Sequence, residues 1–100
     1  MEEYRIKLTP RAGRDLDGIY GYIAGTFREP GTAEQMLAAL EEGILSLKSL
    51  PYRCAERKRG KYANRGYRQL FVKNYTVIYR IDEAAKAVIV VTVRYSASNF

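Results

Sequence analysis

Residues Gly66–Ile81 read GYRQLFVKNYTVIYRI, two runs rich in β-branched and aromatic residues that meet at Lys73-Asn74. Both runs alternate with period two, so each offers one set of side chains to a buried sheet face. A two-residue loop sets Val72 opposite Tyr75, Leu70 opposite Val77, Arg68 opposite Tyr79 and Tyr67 opposite Arg80. Lys-Asn is a weak turn sequence, since such turns favour Gly or Asn at positive φ. The hairpin is carried by the register of its arms. Downstream, AVIVVTVRY (Ala87–Tyr95) is a third β run after a DEAAKA turn, and its apolar character marks it as the central strand. Strict alternation turns Leu70, Val72, Tyr75, Val77, Tyr79, Ile81, Ile89, Val91 and Val93 to one face. It leaves Tyr67, Gln69, Phe71, Thr76, Ile78, Arg80, Val90, Thr92 and Arg94 on an open face.

Upstream, EYRIKLT (Glu3–Thr9) alternates and reads as a short strand with Tyr4, Ile6 and Leu8 on one face. Thr9 can cap a helix, and Pro10 suits its first position because the missing N–H has no partner there. Ala12, Leu16, Ile19, Ile23 and Phe27 then recur at helical spacing. EPG (Glu29–Gly31) breaks the chain. Thr32, with Gln35 three residues on, makes a capping box for a second helix that Pro51 stops. Its buried stripe is Ala33, Leu37, Leu40, Ile44 and Leu47. The order β-α-α-β-β-β predicts an α+β fold, with a helical hairpin packed on one face of a mainly antiparallel sheet. A chain of 100 residues predicts a single domain over residues 1–100.

Composition narrows function. The apolar share of 47% belongs to a chain that buries a core. Apolar runs such as Ala87–Val91 are far too short to span a bilayer, and MEEYRIKLTP lacks an apolar signal region. With Cys54 alone there is no disulfide within the chain, and a reducing cytoplasm is the expected location. The absence of His excludes a Cys–His nucleophile pair and any ordinary zinc site, and no metal or cofactor is expected. The charge is uneven. Arg53–Lys73 holds eight Lys or Arg against one acid, net +7, whereas the whole chain is +6, so the remainder sums to −1. A block of this kind raises a local field that attracts anions, although a solvated connector is the commoner role of a charge run. Arg57, Lys58, Arg59, Lys61, Tyr62, Arg65, Arg68 and Lys73 are the candidates for contact with nucleic acid or an acidic partner.

The chain resembles the RelE/ParE superfamily of toxins from type II toxin–antitoxin pairs over about Tyr4–Tyr95. The resemblance rests on YRIKLTPRAGRDLDGIYGYI as first strand and helix, and on ILSLKSLPYR as a helix end with a Pro exit. GYRQLFVKNYTVIYRIDE followed by VIVVTVRY matches the late hairpin and closing strand. It implies growth inhibition and neutralisation by an antitoxin that wraps the toxin. Two activities follow from it on one fold. RelE-like members cleave messenger RNA on the ribosome with cations and aromatics of the open sheet face, and ParE-like members inhibit DNA gyrase. RGYRQLFVKNYTVIYRID is closer to the ParE-like sequences. Thr76 stands where RelE-like members often carry Arg, and the RelE-like Lys pair falls near Tyr67 and Gln69. The tail SASNF lacks the basic residues common there, which weighs against both activities and keeps open a degenerate member that only binds its partner.

Cleaving RNA through its 2′-OH needs a base, cations for the phosphorane charge and an acid for the leaving oxygen. If the chain is a ribonuclease, Arg80, Arg94, Tyr95 and Tyr67 are its catalytic candidates. The guanidinium fork of Arg matches phosphate oxygens, and without His no side chain titrates near neutrality by default.

Overall fold

The computed structural model describes residues 3–27, 30–98 and 100. The elements run β1 (Arg5–Leu8), α1 (Pro10–Phe27), α2 (Pro30–Ser46), a 3-10 turn (Pro51–Arg53), β2 (Arg68–Val72), β3 (Tyr75–Asp82) and β4 (Ala87–Tyr95). The strands form one mixed sheet in the order β1-β4-β3-β2. β1 lies parallel to the central β4, and the other pairs are antiparallel. This is the expected α+β arrangement, with the helical hairpin on one face of the sheet. Among the described residues no helix is long and apolar enough to cross a membrane.

The β2–β3 hairpin has the register that its alternation dictates, from Arg68↔Tyr79 to Val72↔Tyr75. Lys73 adopts φ 52 to close it, the left-handed conformation that a short turn demands of a residue ill-suited to it. β2 begins at Arg68, two residues later than the alternation suggests. Gly66, at φ 82, and Tyr67 belong to the loop before it.

β4 departs from strict alternation. Ile78 pairs with Thr92 but Tyr79 pairs with Val90, so Val91 is an extra residue in a β-bulge. Beyond the bulge the phase reverses. Val88, Val90 and Val93 join the core, whereas Ile89 pairs with Arg80 on the other face and Val91 is only half-buried. The assignment of Ile89 and Val91 to the helix-facing side, and of Val90 to the open side, is therefore corrected. An inserted residue breaks a period-two rule without changing composition.

Thr9 serves the bulge and the helix together. Its N–H donates to Val90 O at 3.0 Å and its hydroxyl to Val91 O at 2.9 Å, and its Oγ1 accepts from Ala12 N at 3.1 Å as the cap of α1. α1 then takes over beside β4 where β1 ends. Asp15 accepts hydrogen bonds from Val93 N at 3.1 Å and from the Thr92 hydroxyl.

α2 begins at Pro30 rather than at Thr32, because Pro is itself well suited to the first helical position. The break expected at Glu29 and the side chain of Phe27 lie outside the described residues. Gly43 lets α2 approach β2 closely, since a Cβ there would lie 2.8 Å from Val72 Cγ2. The core joins Ala12 and Leu16 of α1, Leu40 and Ile44 of α2, Leu47, and Val77, Tyr79, Val88, Val90 and Val93 of the sheet. The buried Tyr79 phenol donates to Pro51 O at 2.6 Å, and burial beside Cys54 raises its pKa. Arg53 closes the end of α2 by donating to Ser49 O at 3.1 Å and to Ser46 Oγ at 2.8 Å.

Candidate functional site

The basic block is a folded loop pinned to the sheet. Residues 55–57 continue the sheet beyond β2: Gln69 N donates to Ala55 O at 3.1 Å, Arg57 N donates to Tyr67 O at 2.7 Å, and Glu56 bridges Arg68. Inside the loop Asn64 N donates to Arg57 O at 3.1 Å, and Tyr62 meets Tyr67 edge to face at 5.2 Å. Gly60 and Gly66 supply left-handed turns. At Gly60 a side chain would also strike the backbone of Phe100, since a Cβ would lie 1.8 Å from its carbonyl oxygen.

Arg57 is the internal post of this loop. It is 3% exposed and donates to Arg59 O at 3.1 Å, Gln69 Oε1 at 2.8 Å and Phe100 O at 3.1 Å. Its guanidinium lies 4.2 Å from the centre of the Phe100 ring. Burial lowers its pKa, and the nearby charge of Arg59 adds to the effect. A buried cation with three acceptors and an aromatic face is satisfied, and it offers nothing to an outside ligand.

The other candidates divide by position. Lys58, Arg59, Lys61 and Arg65 are exposed on the loop, and Tyr62 is half-buried beneath them. Arg68 turns back to donate to Cys54 O at 2.5 Å and lies over the Tyr52 ring at 5.1 Å. Lys73 sits at the opposite end of β2.

The sheet face expected to be open is closed at its centre. Thr76, Ile78 and Thr92 are at most 1% exposed. Loop and tail lie across it. Gln69 binds Arg57, Thr76 Oγ1 shares a 2.7 Å hydrogen bond with Ser96 Oγ, and Arg94 lies 5.5 Å from the Phe100 ring. The expected exposure of Thr76, Ile78 and Thr92 is corrected accordingly. Arg57, Ser96 and Phe100 thus meet Gln69, Thr76 and Arg94 on this face, the Thr92 hydroxyl is taken by Asp15 of α1, and Phe71 and Arg80 stay exposed at its periphery.

The four catalytic candidates do not meet at one point. Arg94 pairs with Thr76 and Arg80 with Ile89, four positions apart on β3, so their backbones are separated by about 13 Å. Tyr95 follows Arg94 on the strand and therefore points to the other face, where it packs edge to face on Tyr75 at 5.8 Å. Tyr67 is held in the loop against Tyr62.

Two further features have weak signals in the sequence. A groove of about 1190 Å³ lies between α1, α2 and the tip of the hairpin, lined in part by Arg14, Ile19, Tyr22, Met36, Tyr75 and Tyr95. At the turn between β3 and β4, Glu83 accepts from Tyr52 at 2.5 Å, from Tyr4 at 3.1 Å and from Lys86. These partners, Lys86 first, hold the Glu83 carboxyl down at about 2, and the bond to Glu83 raises Tyr52. Asp15 and Phe100 escape sequence reasoning, and the partners of Gln69 and Glu83 do too, because each acts through a residue distant in the chain.

Comparison with known proteins gives the class. The family profile described as the ParE toxin of the type II toxin–antitoxin system, parDE, matches residues 6–100. The chain belongs to this family of type II toxins. A chain from the RelBE2 toxin–antitoxin complex of Mycobacterium tuberculosis is similar, with 26% identity, 98% of this chain and 97% of that chain covered, and a TM-score of 0.68. A chain of the chromosomal ParDE system of P. aeruginosa shares the fold, with TM-score 0.77, 20% identity, and coverage of 93% and 96%. So does a YoeB/ParE toxin of Agrobacterium tumefaciens, with TM-score 0.62, 16% identity, and coverage of 91% and 96%. A sequence comparison with curated proteins gave no match.

Proposed function

We infer that this toxin acts in the cytoplasm on DNA gyrase, without RNA chemistry of its own, and that a cognate antitoxin neutralises it. The observation that carries the choice of target is the closed sheet face. A ribonuclease of this fold needs that face accessible and its cations convergent. Here Thr76, Ile78 and Thr92 are buried, Arg94 lies against Phe100, and Tyr95 points away. The chain also lacks His, so a general base would have to come from a group that is not poised near neutrality. Inhibition by binding needs none of these features.

The antitoxin reading is supported by family membership and by the groove between α1, α2 and the hairpin tip. Its walls are apolar at Ile19 and Met36, with Arg14, Asp15, Glu42 and Lys73 around them. That lining suits an amphipathic segment.

Purified toxin added to gyrase with relaxed plasmid should block supercoiling, and added to a coupled translation reaction it should leave the messenger intact. Messenger cleavage with unimpaired supercoiling would reinstate the ribonuclease reading. No effect in either reaction would mark a chain that only binds its partner.

A further inference from the structure

We propose that the loop Lys58–Arg65 is a binding surface for the backbone phosphates of duplex DNA, gripped without regard to sequence. The inference goes beyond the choice of target and does not depend on it.

The charge is concentrated and carries no counter-ion among the described residues, although Lys61 Nζ lies 5.9 Å from the centre of the Tyr62 ring. Lys58, Arg59, Lys61 and Arg65 are exposed, and none of them makes an ion pair among the described residues. Glu56 is the sole acid between Arg53 and Lys73. The loop is also built. It is tied to β2 at Ala55–Gln69 and just before it at Arg57–Tyr67, braced within by Asn64 N to Arg57 O, and founded on the buried Arg57. Cations fixed in place lose less freedom on binding than cations on a mobile tether. Arg57 itself is the support and not a contact.

The kind of anion follows from what the loop lacks. Tyr62 and Tyr67 are half-buried and spend their rings on each other, so they give no platform for unstacked bases. That disfavours a single strand. No large apolar side chain is exposed between Lys58 and Gly66 among the described residues, so the patch lacks the anchors on which protein interfaces turn. Cations without stacking rings or apolar anchors fit phosphate contacts, which position a protein on DNA but read no sequence.

The test uses the full chain and a fluorescently labelled duplex of mixed sequence, with anisotropy followed from 50 to 200 mM salt. Four phosphate contacts predict a slope of log K against log salt of about −3.6, a loss of affinity of roughly a hundredfold over that range. The variant Lys58→Gln, Arg59→Gln, Lys61→Gln, Arg65→Gln should keep its thermal midpoint and lose both the binding and the slope. A variant with the same change in net charge elsewhere, Arg5→Gln, Lys7→Gln, Arg11→Gln, Lys48→Gln, should retain them. Equal losses in the two variants would reduce the effect to net charge and overturn the proposal. So would duplex binding that survives in the folded loop variant. Capture of a polyglutamate peptide without duplex binding would assign the loop to an acidic protein instead. Growth arrest on induction is scored separately, so toxicity can persist while DNA binding fails, or the reverse.

Discussion

Leu50 holds φ 54 and ψ 54 just before the 3-10 turn, with 70% of its surface exposed. A left-handed conformation costs a branched residue about 1–2 kcal/mol, and an exposed side chain recovers little of it by packing. Asn tolerates that region, so Leu50→Asn should raise stability by about 0.5–1 kcal/mol in chemical denaturation; a loss would show that Leu50 packs better than its exposure indicates. Glu83 gives a residue-scale test in pH. Its carboxyl is held at about 2 against an ordinary 4.5. The folded state therefore favours the ionised form, and this contribution is complete above the ordinary value. It is lost as pH falls from 4.5 toward 2. Glu83→Gln should flatten the fall of the thermal midpoint across that window, and an unchanged acid limb would remove Glu83 from the account. Neither feature is legible in the sequence. LKSLPYR signals a helix end but not which residue takes positive φ, and Tyr4, Tyr52 and Glu83 meet from three distant segments.

At the scale of elements, the hairpin was readable because its two arms fix each other. A slip of β2 by one residue would turn Leu70 away from the core, and a slip of β3 would do the same to Val77 and Tyr79. The bulge in β4 was not readable. Val88, Ile89, Val90 and Val91 are all suited to a buried face, so one inserted residue leaves no mark in their pattern. The consequence can be measured. Val90→Ala should cost about 2 kcal/mol through lost burial and a cavity, and Val91→Ala well under half as much. Equal costs would place the bulge elsewhere. The loop carries a parallel contrast. Arg57→Ala should cost about 1–3 kcal/mol by removing a buried side chain and leaving the half-buried Gln69 amide oxygen without its partner, whereas Arg59→Ala should stay within about 0.5 kcal/mol. Similar effects would mean that Arg57 is no more structural than its neighbours.

Over the whole molecule, the chain places its positive charge at one end of the sheet and its apolar groove between the helices and the hairpin tip. The charge block was plain in the sequence, because eight cations against one acid need no fold to be noticed. That Arg57 and Arg68 turn inward while four others point outward was not, since burial of an Arg depends on acceptors supplied from elsewhere. The burial at the centre of the second sheet face was likewise hidden, because Thr76 meets Ser96, Thr92 meets Asp15 and Arg94 meets Phe100, contacts that only the fold brings together. That closure is the observation on which our proposal of a binding toxin rather than a nuclease rests. The direct measurement is a pulse of expression in growing cells without antitoxin, with chromosomal double-strand breaks and the rate of protein synthesis followed from the first minutes. Gyrase inhibition predicts that breaks accumulate before synthesis declines and that messenger RNA stays uncut. Prompt arrest of synthesis with cleaved messengers and an intact chromosome would contradict it.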